Sequence, residues 1–132
     1  MKEENVTGVL IDVKTGTAST VTIKDELNEY YKILDCKYID IYGRKVGKCW
    51  YSIVCDDEGA LREGATVSAI GLRGEIAFYG NLFILGKVQD DGELHSLTDE
   101  EHINLMKNIS KEVVYSNGEK EIRTMLFNVE YR

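Results

Sequence analysis

Not one proline occurs in the 132 residues. Every reversal of the chain therefore falls to Gly, Asn and Asp, and the 12 glycines mark the corners. Between those corners the chain reads mostly as short apolar or alternating runs, the pattern of strands. Val6 to Val13 alternates as a first strand, Lys14-Thr15-Gly16 turns, and Thr17 to Ile23, rich in Thr and Val, returns beside it. Tyr38 to Tyr42 is a strand ending in a Gly43-to-Gly47 loop. Cys49 to Cys55 is apolar enough to be buried on both faces, and Asp56-Asp57-Glu58-Gly59 turns after it. Ala65 to Gly71 carries small residues and no assignable period. In the apolar stretch Glu75 to Leu85, Gly80-Asn81 fits either a tight hairpin turn or a bulge in one buried strand. Gly86 to Gln89 continues the strand, and Asp90-Asp91-Gly92 turns the chain.

Two segments change period from two to 3.6. Leu27, Tyr30, Tyr31 and Leu34 make one apolar helical stripe, with Asp25 as the expected N-cap and an end near Asp35. Thr98-Asp99-Glu100-Glu101 has the form of a capping box, followed by a stripe of Ile103, Met106 and Ile109. Near the C-terminus, Asn117-Gly118 between Lys111–Ser116 and a long strand from Glu119 is a strong hairpin signal. There Met125, Phe127, Val129 and Tyr131 alternate with Leu126, Asn128, Glu130 and Arg132. Ile122 is out of phase with the Met125 set, which predicts a bulge near Arg123-Thr124. The expected fold is α+β: an antiparallel or mixed sheet with two helices on one face and a C-terminal hairpin.

The length fits one domain over residues 1–132, and 43% hydrophobic with 30% charged residues is ordinary for a globular chain. A net charge of −7 argues against general nucleic-acid or anionic-membrane binding, both of which need surplus Lys and Arg. It suits a soluble protein or one that docks on a basic surface. No run approaches a membrane span, and Met1 to Asn5 is charged without a following apolar signal stretch. Three cysteines, Cys36, Cys49 and Cys55, make a poor disulfide framework, so a reducing cytoplasm is the expected location.

Three segments carry a family likeness: Val54-Cys55-Asp56-Asp57-Glu58-Gly59-Ala60-Leu61, Gly80-Asn81-Leu82-Phe83-Ile84-Leu85-Gly86, and Asp91 through Glu101. With them, residues 7–109 resemble a family of small proteins of unknown function encoded by bacteriophages and conjugative elements of Gram-positive bacteria. That family often has Pro and Asn after the leucine matching Leu61, where this chain has Arg62-Glu63-Gly64-Ala65. Residues 111–132 look like a hairpin added to the family core. The resemblance implies a mobile-element accessory protein in a bacterial host cell, and supplies no reaction and no catalytic residue.

The chemistry-bearing side chains are dispersed along the chain. Cys49 and Cys55 share a strand face too far apart for one zinc site, and neither acidic turn has the spacing of a calcium loop. No metal or cofactor is expected. His95 and His102 lack an evident nucleophile or carboxylate partner, so a small hydrolase is the least favoured reading. Arg44, Lys45, Lys48, Arg62 and Arg73 lie beside glycine-rich backbone and form the candidate anion site for a nucleotide. Asp56, Asp57, Glu58, Asp90 and Asp91 are the candidates for a basic protein partner. Tyr30, Tyr31, Tyr38, Tyr42, Trp50, Tyr51 and Tyr79 are either core aromatics or stacking platforms. Met125 and Phe127 lie on a strand edge that fits intrachain packing or a homo-oligomer contact. The expected function is a non-enzymatic binding protein that antagonises a host process such as anti-phage defence, by occupying a host protein or sequestering a signalling nucleotide. The alternative is an assembly module dimerising through the hairpin.

Overall fold

The computed structural model describes residues 4–130. In chain order its elements are β1 (Asn5–Asp12), β2 (Thr17–Lys24), α1 (Leu27–Leu34), β3 (Ile39–Val46), β4 (Cys49–Asp56) and a 3-10 turn (Gly59–Leu61). There follow β5 (Val67–Gly71), β6 (Ile76–Tyr79), β7 (Leu82–Gly86), α2 (Asp99–Lys107), β8 (Ile109–Ser116) and β9 (Glu119–Glu130). The strands form one nine-stranded sheet in the order β2-β1-β7-β4-β3-β9-β5-β6, with β8 paired to β9. β5 runs parallel to β9 and the other pairings are antiparallel, so the sheet is mixed and the class is α+β.

The central strands are apolar on both faces, and this decides where the helices go. All five residues of β7 are buried. Leu82 and Ile84 join Val9, Ile11, Tyr51, Ile53, Leu105 and Leu126 in one core, while Phe83 and Leu85 join Val6, Val54, Tyr30 and Leu34 in another. Each face needs its own cover: α1 supplies Tyr30 and Leu34 to one, and α2 supplies Leu105 to the other. The expectation of both helices on one face is therefore corrected. A sheet buried on both faces cannot leave one of them to water. The strands also approach closely: a Cβ at Gly8 on β1 would run into the Ile84 carbonyl of β7. Across the sheet, the Thr124 hydroxyl of β9 donates to the Gly16 carbonyl in the β1–β2 turn, so the sheet coils toward itself.

Several local expectations change. The N-cap of α1 is Glu26, in extended backbone and with no side-chain cap, because the Asp25 carboxylate accepts the Tyr30 hydroxyl at 2.7 Å. In the α1 stripe Tyr30 and Leu34 are buried, while Leu27 is exposed. The Gly43-to-Gly47 segment is not a loop: Gly43, Arg44 and Lys45 pair with Ser52, Tyr51 and Trp50, which leaves only Gly47-Lys48 to turn. Arg44 sits in the strand because its guanidinium lies over aromatic rings. Gly80-Asn81 makes neither a hairpin nor a bulge, since β6 pairs with β5 while β7 pairs with β1 and β4. The strand after Gly80 ends at Gly86 rather than continuing to Gln89.

α2 keeps its capping box, with both reciprocal bonds present, but its inward residue is Leu105; Ile103 and Met106 are exposed and Ile109 opens β8. Asn117 and Gly118 both hold positive φ (53° and 80°), the geometry that a two-residue hairpin turn requires. From Ile109↔Leu126 to Ser116↔Glu119 the β8–β9 register runs without a break, so there is no bulge at Arg123-Thr124. The shift lies at Asn128 (φ 63°), between the buried residues Leu126 and Val129, where the β5 pairing slips. Ile122 is thus in phase with Thr124 and Leu126. Tyr131 and Arg132, expected to continue the alternation, lie outside the described residues.

Candidate functional site

β4 delivers its apolar run into the core and ends at Asp56, where the acidic turn begins. The Asp56 side chain is only 7% exposed, and each of its oxygens is engaged. Oδ1 accepts the Glu58 backbone N–H at 2.9 Å, and Oδ2 accepts Arg62 Nε in an ion pair. That pair and its charge hold the Arg62 guanidinium more firmly protonated than usual. The turn is fastened further by Asp57 N–H to the Tyr38 carbonyl (3.1 Å) and Leu61 N–H to the Glu58 carbonyl (3.0 Å). Gly59 passes so near β6 that a Cβ there would lie 3.0 Å from the Tyr79 carbonyl.

Two depressions of about 260 Å³ flank this junction and share Asp56 and Gly59. One is bounded by Lys14, Asp35, Arg62, Glu63 and Asn81; there Lys14 Nζ meets Asp35 at 3.0 Å, and Asn81 Oδ1 accepts the Val13 N–H. The other is walled by Tyr42, Phe78 and Tyr79 with Arg44 and Asp57. Tyr42 and Phe78 tilt together at 5.6 Å, and the Arg44 guanidinium carbon lies 4.9 Å and 5.9 Å from their ring centres. The Tyr42 hydroxyl donates to Asp40 at 2.9 Å, which raises its ionisation above the ordinary phenol value. A third depression, of about 420 Å³, is lined by Tyr31, Cys36, Lys37 and Glu58 and also reaches Arg62.

The Cys36 and Cys55 thiols are poor nucleophiles at neutral pH. Burial pushes Cys55 up to about 12, helped by Asp40 and Asp56; burial and then the Asp56 charge push Cys36 upward too. His95 Nε2 lies 3.2 Å from Asp91, and His102 Nε2 lies 3.2 Å from the Thr20 hydroxyl. Among the described residues no group of three or more His, Cys, Asp and Glu side chains is placed to hold a metal ion.

The structure brings Asp56, Asp57 and Glu58 together with Arg62 and Arg44 around one junction. It does not assemble the five expected cations. Lys45 lies next to Arg44 on a strand and so faces the opposite side. Lys48 lines a separate depression of about 390 Å³ with Ile103 and Lys107 of α2. Arg73 is exposed between β5 and β6, its N–H bonded to Glu75. Asp90 and Asp91 belong to the segment before α2; Glu93 N–H and then His95 hold the Asp91 carboxyl below its usual range. Met125 and Phe127 are half-buried on β9. The sequence reading missed Lys14, Asp35, Asn81 and the rings of Tyr42 and Tyr79 as neighbours of the acidic turn. Only long-range pairing places them there, and no local pattern announces it.

Among the described residues no helix is long and apolar enough to cross a membrane. No curated protein and no solved structure matches the chain. A family model for a domain of unknown function, DUF3846, matches residues 6–123. That span takes in the β4–3-10 junction, the β7 strand, the α2 cap and most of the C-terminal hairpin. The chain belongs to the DUF3846 family, a domain of unknown function.

Proposed function

We propose that this protein acts by occupancy, as a non-enzymatic binding protein that docks the acidic rim of the β4–3-10 junction on a basic surface of a host protein. In this reading it is encoded by a phage or other mobile element. It works in the cytoplasm of the bacterial host, where it antagonises a process such as anti-phage defence. One observation carries the choice of partner: the cations lining the two depressions that flank the junction are already engaged and the outer carboxylates stand in solvent. Arg62 is bonded to Asp56, Lys14 to Asp35, and Arg44 lies over two rings. Asp57, Glu58 and Glu63 are exposed around them. A net charge of −7 extends the same field over the molecule and steers a basic partner toward it. A nucleotide ligand needs guanidinium groups free to fork onto phosphate, and Arg62 is committed to a carboxylate.

The test is reversal of the rim. The D57K/E58K/E63K variant and the unaltered protein are expressed in a bacterial strain carrying an active defence system, and phage plating is measured. The expected result is that the unaltered protein raises plating efficiency and the variant, folded by circular dichroism, does not. Full activity of the variant overturns the acidic-rim reading. Calorimetric binding of a cyclic dinucleotide, lost in R44A/R62A, would replace it with the nucleotide reading.

A further inference from the structure

β8 is an edge strand whose free side is self-complementary. Its pairing with β9 starts from a two-residue turn at Ser116↔Glu119, and the Phe127 N–H bonds the Asn108 carbonyl at 2.7 Å. Antiparallel ladders alternate bonded and non-bonded pairs, so the even-numbered residues of β8 turn their backbone groups to β9. Lys111, Val113 and Tyr115 then direct their N–H and C=O groups away from the sheet. Directly paired residues share a face. Ile109 and Leu126 therefore begin, in the core, a face that runs outward through Val113 and its partner Ile122 to Tyr115. These last three are 52%, 55% and 75% exposed, an apolar strip on a ribbon with an open edge.

We propose that the β8 edge pairs antiparallel with β8 of a second copy of this chain, about a two-fold axis through Val113. In that register Val113 exchanges two backbone bonds with its own copy, and Lys111 and Tyr115 exchange bonds with each other. The apolar strip continues from one ribbon to the next as Ile122, Val113, Val113 and Ile122, and each Lys111 ammonium lies beside a Tyr115 ring. Glu112 falls opposite Val114. The neighbouring registers are worse. An axis at Glu112 sets that carboxylate against itself, and an axis at Val114 carries Lys111 to Asn117, whose left-handed backbone (φ 53°) cannot extend the ladder. The contact is isologous and closes as a dimer. It uses none of the acidic rim and stands or falls apart from the host-protein reading.

Sedimentation of the whole protein over a range of concentrations tests this. The expected particle is twice the 15.0 kDa chain. V113K sets two ammonium groups on the axis and is expected to sediment as a monomer. V114K, on the other face and opposite Glu112, keeps the dimer. V113C adds an independent reading, because Cα atoms about 5.5 Å apart in a bonded antiparallel pair lie within disulfide reach. Mild oxidation is expected to give a covalent dimer of V113C that the unaltered protein does not form. A chain that stays monomeric at millimolar concentration, a V113K protein that still dimerises, or a dimer in which V113C does not cross-link overturns the proposal.

Discussion

The two helices cover opposite faces of the same strands and are fastened by different physics. α2 is bolted by directional polar contacts. The Tyr51 hydroxyl of β4 donates to the Glu101 carbonyl at 2.6 Å and accepts from Asn104 Nδ2 at 2.8 Å. Asn104 also donates to the Val46 carbonyl and accepts from the Lys48 N–H, which ties α2 to both ends of the β3–β4 turn. α1 is held mainly by apolar burial: Tyr30 and Leu34 rest on Phe83, with ring centres of Tyr30 and Phe83 6.1 Å apart. Its hydroxyl bond, Tyr30 to Asp25, stays within its own segment. A polar anchor fixes where a helix sits, whereas an apolar one rewards coverage and leaves position to shape.

Alkali strains both attachments and carries the largest expected effect. Burial raises the Tyr30 phenol, reinforced by Asp25, and burial raises that of Tyr51 against the opposing donation from Asn104. A phenol whose folded pKa lies above its unfolded value holds its proton longer when folded. The stability it contributes is complete below the ordinary value of 10.0 and is lost as pH climbs through the folded one. Cys55 adds the same sign over the interval that ends near 12. Denaturant midpoints measured from pH 8 to 12 should therefore fall steadily above about pH 9. The fall should be shallower in Y30F and Y51F. A flat profile in the parent protein would show that neither tyrosine is held away from water.

The next contrast sets the two anchors side by side. Phe83→Ala removes the floor beneath α1 and should cost about 3–5 kcal/mol in urea unfolding, the range for emptying a buried aromatic site. Asn104→Ala leaves the Val46 carbonyl and the Lys48 N–H without their partner and should cost about 1–3 kcal/mol. The smaller loss should have the more local signature: faster amide exchange in α2 with α1 protected as before. If Asn104→Ala loosens α1 equally, the two faces unfold as one unit and the distinction between anchors has no energetic meaning.

Much of this was legible from short-range chemistry. The Thr98 box, the Asn117-Gly118 turn, the buried run from Cys49 to Cys55 and the acidic turn at Asp56 each declare themselves within a few residues. What was not legible depends on partners far along the chain. Arg44 reads as a loop residue because it stands between Gly43 and Gly47, and the surface its guanidinium lies on is half supplied from afar, by Phe78 of β6 beside the nearby Tyr42 ring. Ile103 and Met106 looked like the buried stripe of α2, yet the helix turns Leu105 and Asn104 inward because Tyr51 and Val46 wait there with polar groups to satisfy. Arg62 and Asp56 were assigned to rival sites although six positions apart, since a turn followed by a 3-10 segment folds them together. No period describes that geometry.

The smallest expected effect is the one that sharpens the comparison most. α1 begins with Glu26 in the extended backbone of an N-cap, but its side chain caps nothing, while Glu29 already stands at the third helical position. Glu26→Ser would place a hydroxyl where it can accept the Asn28 N–H, a one-sided version of the Thr98 cap of α2, because the residue-26 N–H stays with the Lys24 carbonyl. The carboxylate lost from the helix start contributes a few tenths of a kcal/mol through the dipole, and the new cap outweighs it. A gain of about 0.5–1 kcal/mol is expected, or a rise of about 2–5 °C in Tm, against a loss of about 1 kcal/mol for Thr98→Ala. Thermal melting of the two variants beside the parent measures both. A neutral or destabilising Glu26→Ser would mean that α1 owes its start to Tyr30 being drawn onto Phe83, and that burial alone sets where this helix begins.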